Sequence, residues 1–206
     1  MARNDSTPRN LAILLFDEVE VLDFAGPFEV FAVSRDYQDG ETPLFNVYTV
    51  ASAARPIIAR NGLSVNPAHT LADCPAPDIL LVPGGRGART AMHDAALVDW
   101  IAAQAGTAEL TLSVCTGAFI LAKAGLLGGL SATTYHTAFD DLAQIAPDTT
   151  LHRDKRFVDN GRIVTSAGIS AGIDMSLYVV ARLHGIEQAR WTARHMEYHW
   201  DENLTG

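Results

Sequence analysis

Three short apolar runs punctuate this chain: residues 11–16 (LAILLF), 79–82 (ILLV) and 110–114 (LTLSV). Runs of that length with little polar alternation read as parallel strands covered on both faces. Another strand is expected over residues 46–51, after a break at Gly40 and Pro43. Helical spacing follows the runs. Leu97, Trp100 and Ile101 mark a helix over residues 90–104, and residues 118–124 form a helical stretch closed by Gly125. Pro27 sits where a first helix would begin, after a loop over residues 17–23, and leads into Phe28, Val30, Phe31 and Val33. Residues 55–77 are rich in Pro, Gly and Asn and read as loops and minor strands, with one alternating piece at 63–65.

The last third continues the pattern with a short strand near residues 132–134 and a helix over 138–145. Asp159-Asn160-Gly161 turns a hairpin between residues 156–158 and 162–165. Two helices, residues 171–184 and 187–199, are separated by Gly185. Strands alternating with helices predict an α/β fold, a mainly parallel sheet flanked by helices on both faces. The polar residues 1–10 are expected to be a flexible N-terminal tail, and residues 11–206 a single domain without repeats or linkers.

Composition narrows the function classes. A length of 206 residues with 48% hydrophobic content suits one domain with a sizeable core. Acids outnumber bases 24 to 15, which argues against a nucleic-acid partner, because phosphate binding needs a surplus of Lys and Arg. No apolar run reaches the roughly 18 residues that span a membrane, and the polar start lacks a signal-peptide stretch. The expectation is a cytoplasmic protein with no membrane partner. Cys74 and Cys115 are too few for a disulfide framework, and no Cys/His zinc spacing occurs.

In a parallel sheet the ligand site lies at the carboxyl ends of the strands, so the residues just after each run carry the information. These are Asp23, Gly84-Gly85 and Cys115. At Cys115 the amides opening the next helix would favour a thiolate, and Ser113 and Gly117 are small enough for a crowded elbow. An unpaired Cys in an apolar run often only fills space, which is the reading for Cys74 between Asp73 and Pro75. Asp23 has a competing explanation as a helix cap, although a residue nearer Pro27 would cap more naturally. His195 and His199, four apart with Glu197 between them, have a zinc-capable spacing but no third ligand and no H-E-x-x-H order, so no metal is expected. Trp191, Met196 and Trp200 read as packing or an interface. Gly125 and Gly128-Gly129 read as a helix stop and turn rather than a dinucleotide loop.

Ser113-Val114-Cys115-Thr116-Gly117 with Val82-Pro83-Gly84-Gly85 upstream resembles the DJ-1/PfpI superfamily. The segments Asp17-Glu18-Val19, Leu22-Asp23-Phe24-Ala25-Gly26-Pro27, Ala132-Thr133-Thr134-Tyr135-His136 and Ala171-Gly172-Ile173-Asp174 look like its bacterial isonitrile hydratase branch. The resemblance implies a flavodoxin-like or class I glutamine amidotransferase-like sandwich, a homodimer, a small-molecule substrate and no cofactor. It further implies Cys115 as nucleophile, Asp23 as a carboxyl against its sulfur and Thr116 as its hydroxyl-bearing neighbour. Amides around Gly85 and Thr116, with Gly84, would form an anion-stabilising pocket. Two negative groups at contact repel, so Asp23 is expected to carry a proton and act as a general acid.

The departure from the family's protease and amidotransferase branches is Thr116, where those place a His after the nucleophile or further along. His136, oriented by Asp140 or Asp141, could in principle serve Cys115 as a base. Three readings stay open: an isonitrile hydratase, a glyoxalase- or deglycase-type enzyme acting on aldehydes, and a non-catalytic redox sensor in which Cys115 oxidises. Sensing relatives carry a DNA-binding helical domain, which is not expected in this chain of 206 residues.

Overall fold

The computed structural model describes residues 7–203, and the apolar runs form the middle of one sheet. Strand β1 (Arg9–Leu14) leads through helix α1 (Val21–Val33) to β2 (Phe45–Ala51). A small antiparallel hairpin of β3 (Ile57–Ile58) and β4 (Ser64–Val65) and an edge strand β5 (His69–Thr70) follow. Next come β6 (Ile79–Val82), the short α2 (Ala88–Ala91), α3 (Ala95–Thr107), β7 (Leu110–Val114) and α4 (Gly117–Lys123). The last third contains β8 (Ser131–Ala132), α5 (Phe139–Ile145), β9 (Thr150–Leu151), β10 (Phe157–Asp159), β11 (Ile163–Ser166), α6 (Ala171–His184) and α7 (Ile186–His195).

The strand order is β10-β11-β7-β6-β1-β2-β5, with β10 as the single antiparallel member. Every residue of β6 and β7 is buried, as their unalternating composition requires. Helices α1, α6 and α7 pack together on one face, and α2, α3 and α5 pack around α4 on the other. Asp174, buried in the first turn of α6, accepts from Arg156 Nε at 2.7 Å and from the Tyr198 hydroxyl at 3.0 Å. This ties the segment after α7 back onto α6.

Four boundaries differ from the sequence reading, each for a tertiary reason. The first helix begins at Val21 rather than near Pro27, which lies inside it and leaves the carbonyl of Asp23 without its usual donor. Its start is set from outside: Val19 bridges Gly85, and the amide of Glu20 donates to the carbonyl of Gly84 at 2.9 Å. The expected tail shortens, since Arg9 donates to the Leu44 carbonyl at 3.0 Å and the Asn10 amide to Asp78 Oδ2 at 2.8 Å. Its first six residues lie outside the described ones. The helix expected over residues 90–104 divides because Asp94 caps a new one, accepting from the Leu97 amide at 3.2 Å. The last helix stops at His195, where Glu197 takes φ 51°, so His195 and His199 do not share a helix.

Candidate active site

The chain leaves β1 towards β2 on one side and returns to β6 on the other, so the strand order reverses between β1 and β6. The crevice beyond the carboxyl ends of those strands is where an open parallel sheet accepts a ligand. Three predicted residues meet there, from three connections: Asp23 on α1 after β1, Gly84 after β6, and Cys115 after β7.

Cys115 adopts φ 58°, a left-handed conformation that costs a non-glycine residue on the order of 1–3 kcal/mol. It is held on both sides. Its amide faces the carbonyls of Ser166 and Ala167 at 3.1 and 3.2 Å, and its carbonyl accepts from Thr134 Oγ1 at 2.8 Å. The sharp turn from β7 into α4 stands the sulfur at the sheet edge with 5% of the residue exposed. Thr116 does not cap α4 with its side chain. Its hydroxyl donates to the carbonyl of Gly85 at 3.0 Å and accepts from the Gly85 amide at 3.0 Å, joining the elbow to the glycine turn.

Asp23 is fully buried, and its Oδ2 accepts from the Gly84 amide at 3.0 Å. The capping explanation for it fails, because its partner lies on another connection. Oδ1 is buried and accepts no other hydrogen bond, and the Cys115 thiol lies close enough that its S–H favours the Asp23 carboxylate while the Asp23 charge disfavours the thiolate. Burial, reinforced by the Glu20 charge, pushes the Asp23 carboxyl up to about 7. Burial and then the Asp23 charge push the Cys115 thiol upward too. The Thr116 amide and hydroxyl pull in the other direction but lose. The expected thiolate-favouring helix start is therefore present and outweighed: a short helix offers few amides, and a desolvated charge costs more than they return. The pair takes on a single negative charge near neutrality, and it settles first on the carboxyl, because the sulfur is pushed upward further and holds its proton against the Asp23 charge.

A pocket of about 440 Å³ opens over the sulfur, lined by Cys115, Thr116, Gly85, Glu20, Tyr135, Ile169 and three arginines, Arg60, Arg86 and Arg89, with Thr137. Gly85 lines it and Gly84 does not, and the Gly84 and Gly85 amides are already engaged by Asp23 and Thr116. The arginines, Glu20 and Ile169 were missed in the sequence. Arg86 adjoins the glycine turn and was within reach of a careful reading. Ile169 was not, since it sits at φ 60°, which a β-branched residue normally avoids. His136 is exposed and faces a neighbouring recess with Phe139 and Arg153 instead of the thiol. Asp140 and Asp141 are held by Arg153 and Arg89, so neither orients His136. A separate cavity of about 280 Å³ beside Leu15, Arg55 and Leu97 is lined by no Cys, His or Lys. Among the described residues no helix is long and apolar enough to cross a membrane, and no cluster of His, Cys, Asp or Glu is placed to hold a metal.

The closeness of the two turns makes Gly84 a sensitive position. A Cβ there would lie 2.5 Å from the Thr116 nitrogen and 2.9 Å from Cys115 Cβ, contacts that backbone atoms cannot escape without moving the elbow. Gly84→Ala is expected to cost about 1–3 kcal/mol in urea unfolding and to change the alkylation rate of Cys115. Parent-like values of both would show that the elbow has slack.

A sequence model of the DJ-1/PfpI family matches residues 9–182. An isonitrile hydratase of Pseudomonas putida is 37% identical over 188 residues, covering 91% of this chain and 78% of that protein. The HTH-type transcriptional regulator GbdR of Pseudomonas aeruginosa is 28% identical, over 87% of this chain but 48% of its own length. Among solved structures, a ThiJ/PfpI family protein of Pseudomonas syringae aligns with a TM-score of 0.84 at 30% identity, covering 98% of this chain and 79% of that one. Drosophila melanogaster DJ-1beta aligns with a TM-score of 0.81 at 20% identity, covering 94% of this chain and 100% of that one, a likeness of fold.

Proposed function

This chain belongs to the DJ-1/PfpI family, and on that premise we propose that it hydrates isonitriles to N-substituted formamides, with Cys115 as nucleophile and Asp23 as proton donor. The observation that carries this reading is the burial of a carboxyl with an affinity for its proton near neutrality directly beside the thiol. The terminal carbon of an isonitrile must receive a nucleophile and a proton on the same atom. Side-by-side sulfur and carboxyl supply both.

The reactive form is the minor tautomer of the pair, reached when sulfur passes its proton to Asp23, so that the proton is on the carboxyl and the charge is on sulfur. Sulfur bonds to the terminal carbon, which takes the Asp23 proton, giving a thioimidate. Water then adds to that carbon: Asp23 receives one proton from it and passes a proton to nitrogen. Collapse of the adduct breaks the C–S bond, returns the hydroxyl proton to Asp23 and releases the formamide and the thiolate. Atoms and protons balance as isonitrile plus water to formamide, with no cofactor in the sequence. Thr116 positions the elbow through its two bonds to Gly85.

The test is incubation with cyclohexyl isocyanide, following N-cyclohexylformamide by chromatography. Formamide production supports the reading. None from this isonitrile or from isocyanoacetate, with Cys115 still open to an alkylating probe, overturns it in favour of an aldehyde substrate or a sensing role for the same thiol.

A cytoplasmic homodimer belongs to this reading. Its support is the exposed Ile58 and Leu63 on the β3–β4 segment, which carries Arg60 into the pocket. A monomeric mass in light scattering would remove the dimer.

A further inference from the structure

We infer that the Cys115 pocket selects a substrate bearing a carboxylate, held at the mouth by Arg86, so that the isonitrile hydrated here is an isocyano acid rather than a neutral one. The word isonitrile rests on the proposed function; the anion preference rests on the pocket alone.

The chain as a whole is acidic, with a net charge of -9, yet three of its arginines converge on this one pocket against a single lining acid, Glu20. Two of the three are engaged. Arg60 donates to Glu18 Oε2 at 2.8 Å, and Arg89 donates to Asp141 Oδ2 at 2.9 Å while lying over the Phe119 ring. Arg86 makes no side-chain hydrogen bond or ion pair among the described residues, although Asp17 and Glu18 line the recess on its other side. Those two acids are satisfied by Arg55 and Arg60.

An unpaired guanidinium presents a planar fork of donors that matches a carboxylate in two parallel bonds. Its backbone is fixed by the turn that builds the site: Gly85 bridges Val19, and the Gly87 amide donates to the Glu18 carbonyl at 3.1 Å. Glu20 also lines the pocket, close enough to Asp23 to raise its proton affinity. A ligand with one anionic end is therefore oriented. Its carboxylate goes to Arg86, and its electrophilic carbon goes to the sulfur.

Two matched alkylating agents read this without requiring turnover. Iodoacetate and iodoacetamide attack through the same carbon and differ in charge, and peptide mass spectrometry reports modification at Cys115 separately from Cys74. Relative to the ratio for a free thiol in solution, Cys115 is expected to favour iodoacetate by about tenfold, the scale of one charge-assisted bidentate contact. Arg86→Gln should bring the ratio close to that of the free thiol, and Arg86→Lys should fall between. Arg86 is exposed and unpartnered, so neither change threatens the fold. A parent ratio at or below that of the free thiol, or one that Arg86→Gln leaves in place, overturns the inference.

In the second arm kcat/KM is compared for isocyanoacetate and its methyl ester. Preference for the acid, lost in Arg86→Gln through KM, supports both statements. Hydration of both at equal rates overturns the anion selection and leaves the hydratase reading standing. Hydration of neither, with the alkylation preference intact, overturns the hydratase reading and supports the anion site.

Discussion

Cys115→Ala is expected to lower the rate of formamide formation by at least about 10⁴-fold, the order lost when a covalent nucleophile is deleted, while leaving the protein folded. The fold survives because the elbow is held by backbone bonds from Cys115 to Ser166, Ala167 and Thr134, none of which uses the sulfur. Loss of one small buried group costs roughly 1 kcal/mol, or about 3 °C of melting temperature for a chain of this size. Rate measurement on the purified variant beside a thermal scan separates the two effects. Residual turnover within tenfold of the parent would mean that the sulfur does not form the bond assigned to it. A melting point lowered by more than about 10 °C would mean that the sulfur also stabilises the turn.

The second large effect belongs to Asp23→Asn, and it has opposite signs for activity and stability. Activity should fall by about 10²–10⁴-fold, the usual worth of a positioned proton donor, because an amide cannot hand over the proton that the substrate carbon needs. The thiol should titrate at lower pH than in the parent, since the Asp23 charge is one of the influences raising it. Stability goes the other way. The folded protein holds the Asp23 proton up to about 7, whereas the unfolded chain releases it near the ordinary carboxyl value of 3.8. Between those values the native state binds more protons, so its stability falls as pH rises from about 4 to about 7 and then levels off. The full loss is of order 4 kcal/mol.

Asn at this position avoids that loss but leaves an amide imperfectly paired, for a net gain of roughly 2 kcal/mol above neutrality. Urea unfolding at pH 8 should therefore find the variant more stable than the parent, and at pH 4 the advantage should disappear. A variant less stable than the parent at pH 8 would show that the carboxylate is better accommodated than its burial and its single bond to Gly84 imply. The combination of lower activity with higher stability is the mark of a group kept for chemistry at the expense of the fold.

Much of this architecture was legible in the residues. Unalternating runs at 79–82 and 110–114 became β6 and β7 with the expected bounds, and Gly185 separated the last two helices where its φ of 91° suits it. The reason is local: a strand buried on both faces has nowhere to place a polar residue, so burial is written directly into composition. That Cys115 and Asp23 share one sheet edge was legible for a related reason, because parallel strands bring their carboxyl ends together; their direct contact was implied by the family resemblance.

Element boundaries were less legible where partners distant in sequence set them. The start of α1 is fixed by Gly84 and Gly85, some sixty residues downstream, and no feature of residues 17–27 announces that contact. The same holds for the left-handed Ile169, whose conformation opposes its own propensity and is imposed by its surroundings.

What the sequence alone determined was the buried runs of the sheet and the candidate residues at their carboxyl ends, properties of short segments and their periodicity, while the pairing of Asp23 with the thiol was implied only by the family resemblance. Only the tertiary structure decided the ionisation of that pair and the charge of its pocket. Residue type offers a carboxylate and a thiol with ordinary affinities, but desolvation at the buried sheet edge raises both, the thiol further than the carboxyl. Arg60, Arg86 and Arg89 are separated along the chain and become a single electrostatic feature only when the β3–β4 segment and the glycine turn fold over Cys115. Desolvation and convergence are sums over neighbours, and neighbours are what folding supplies.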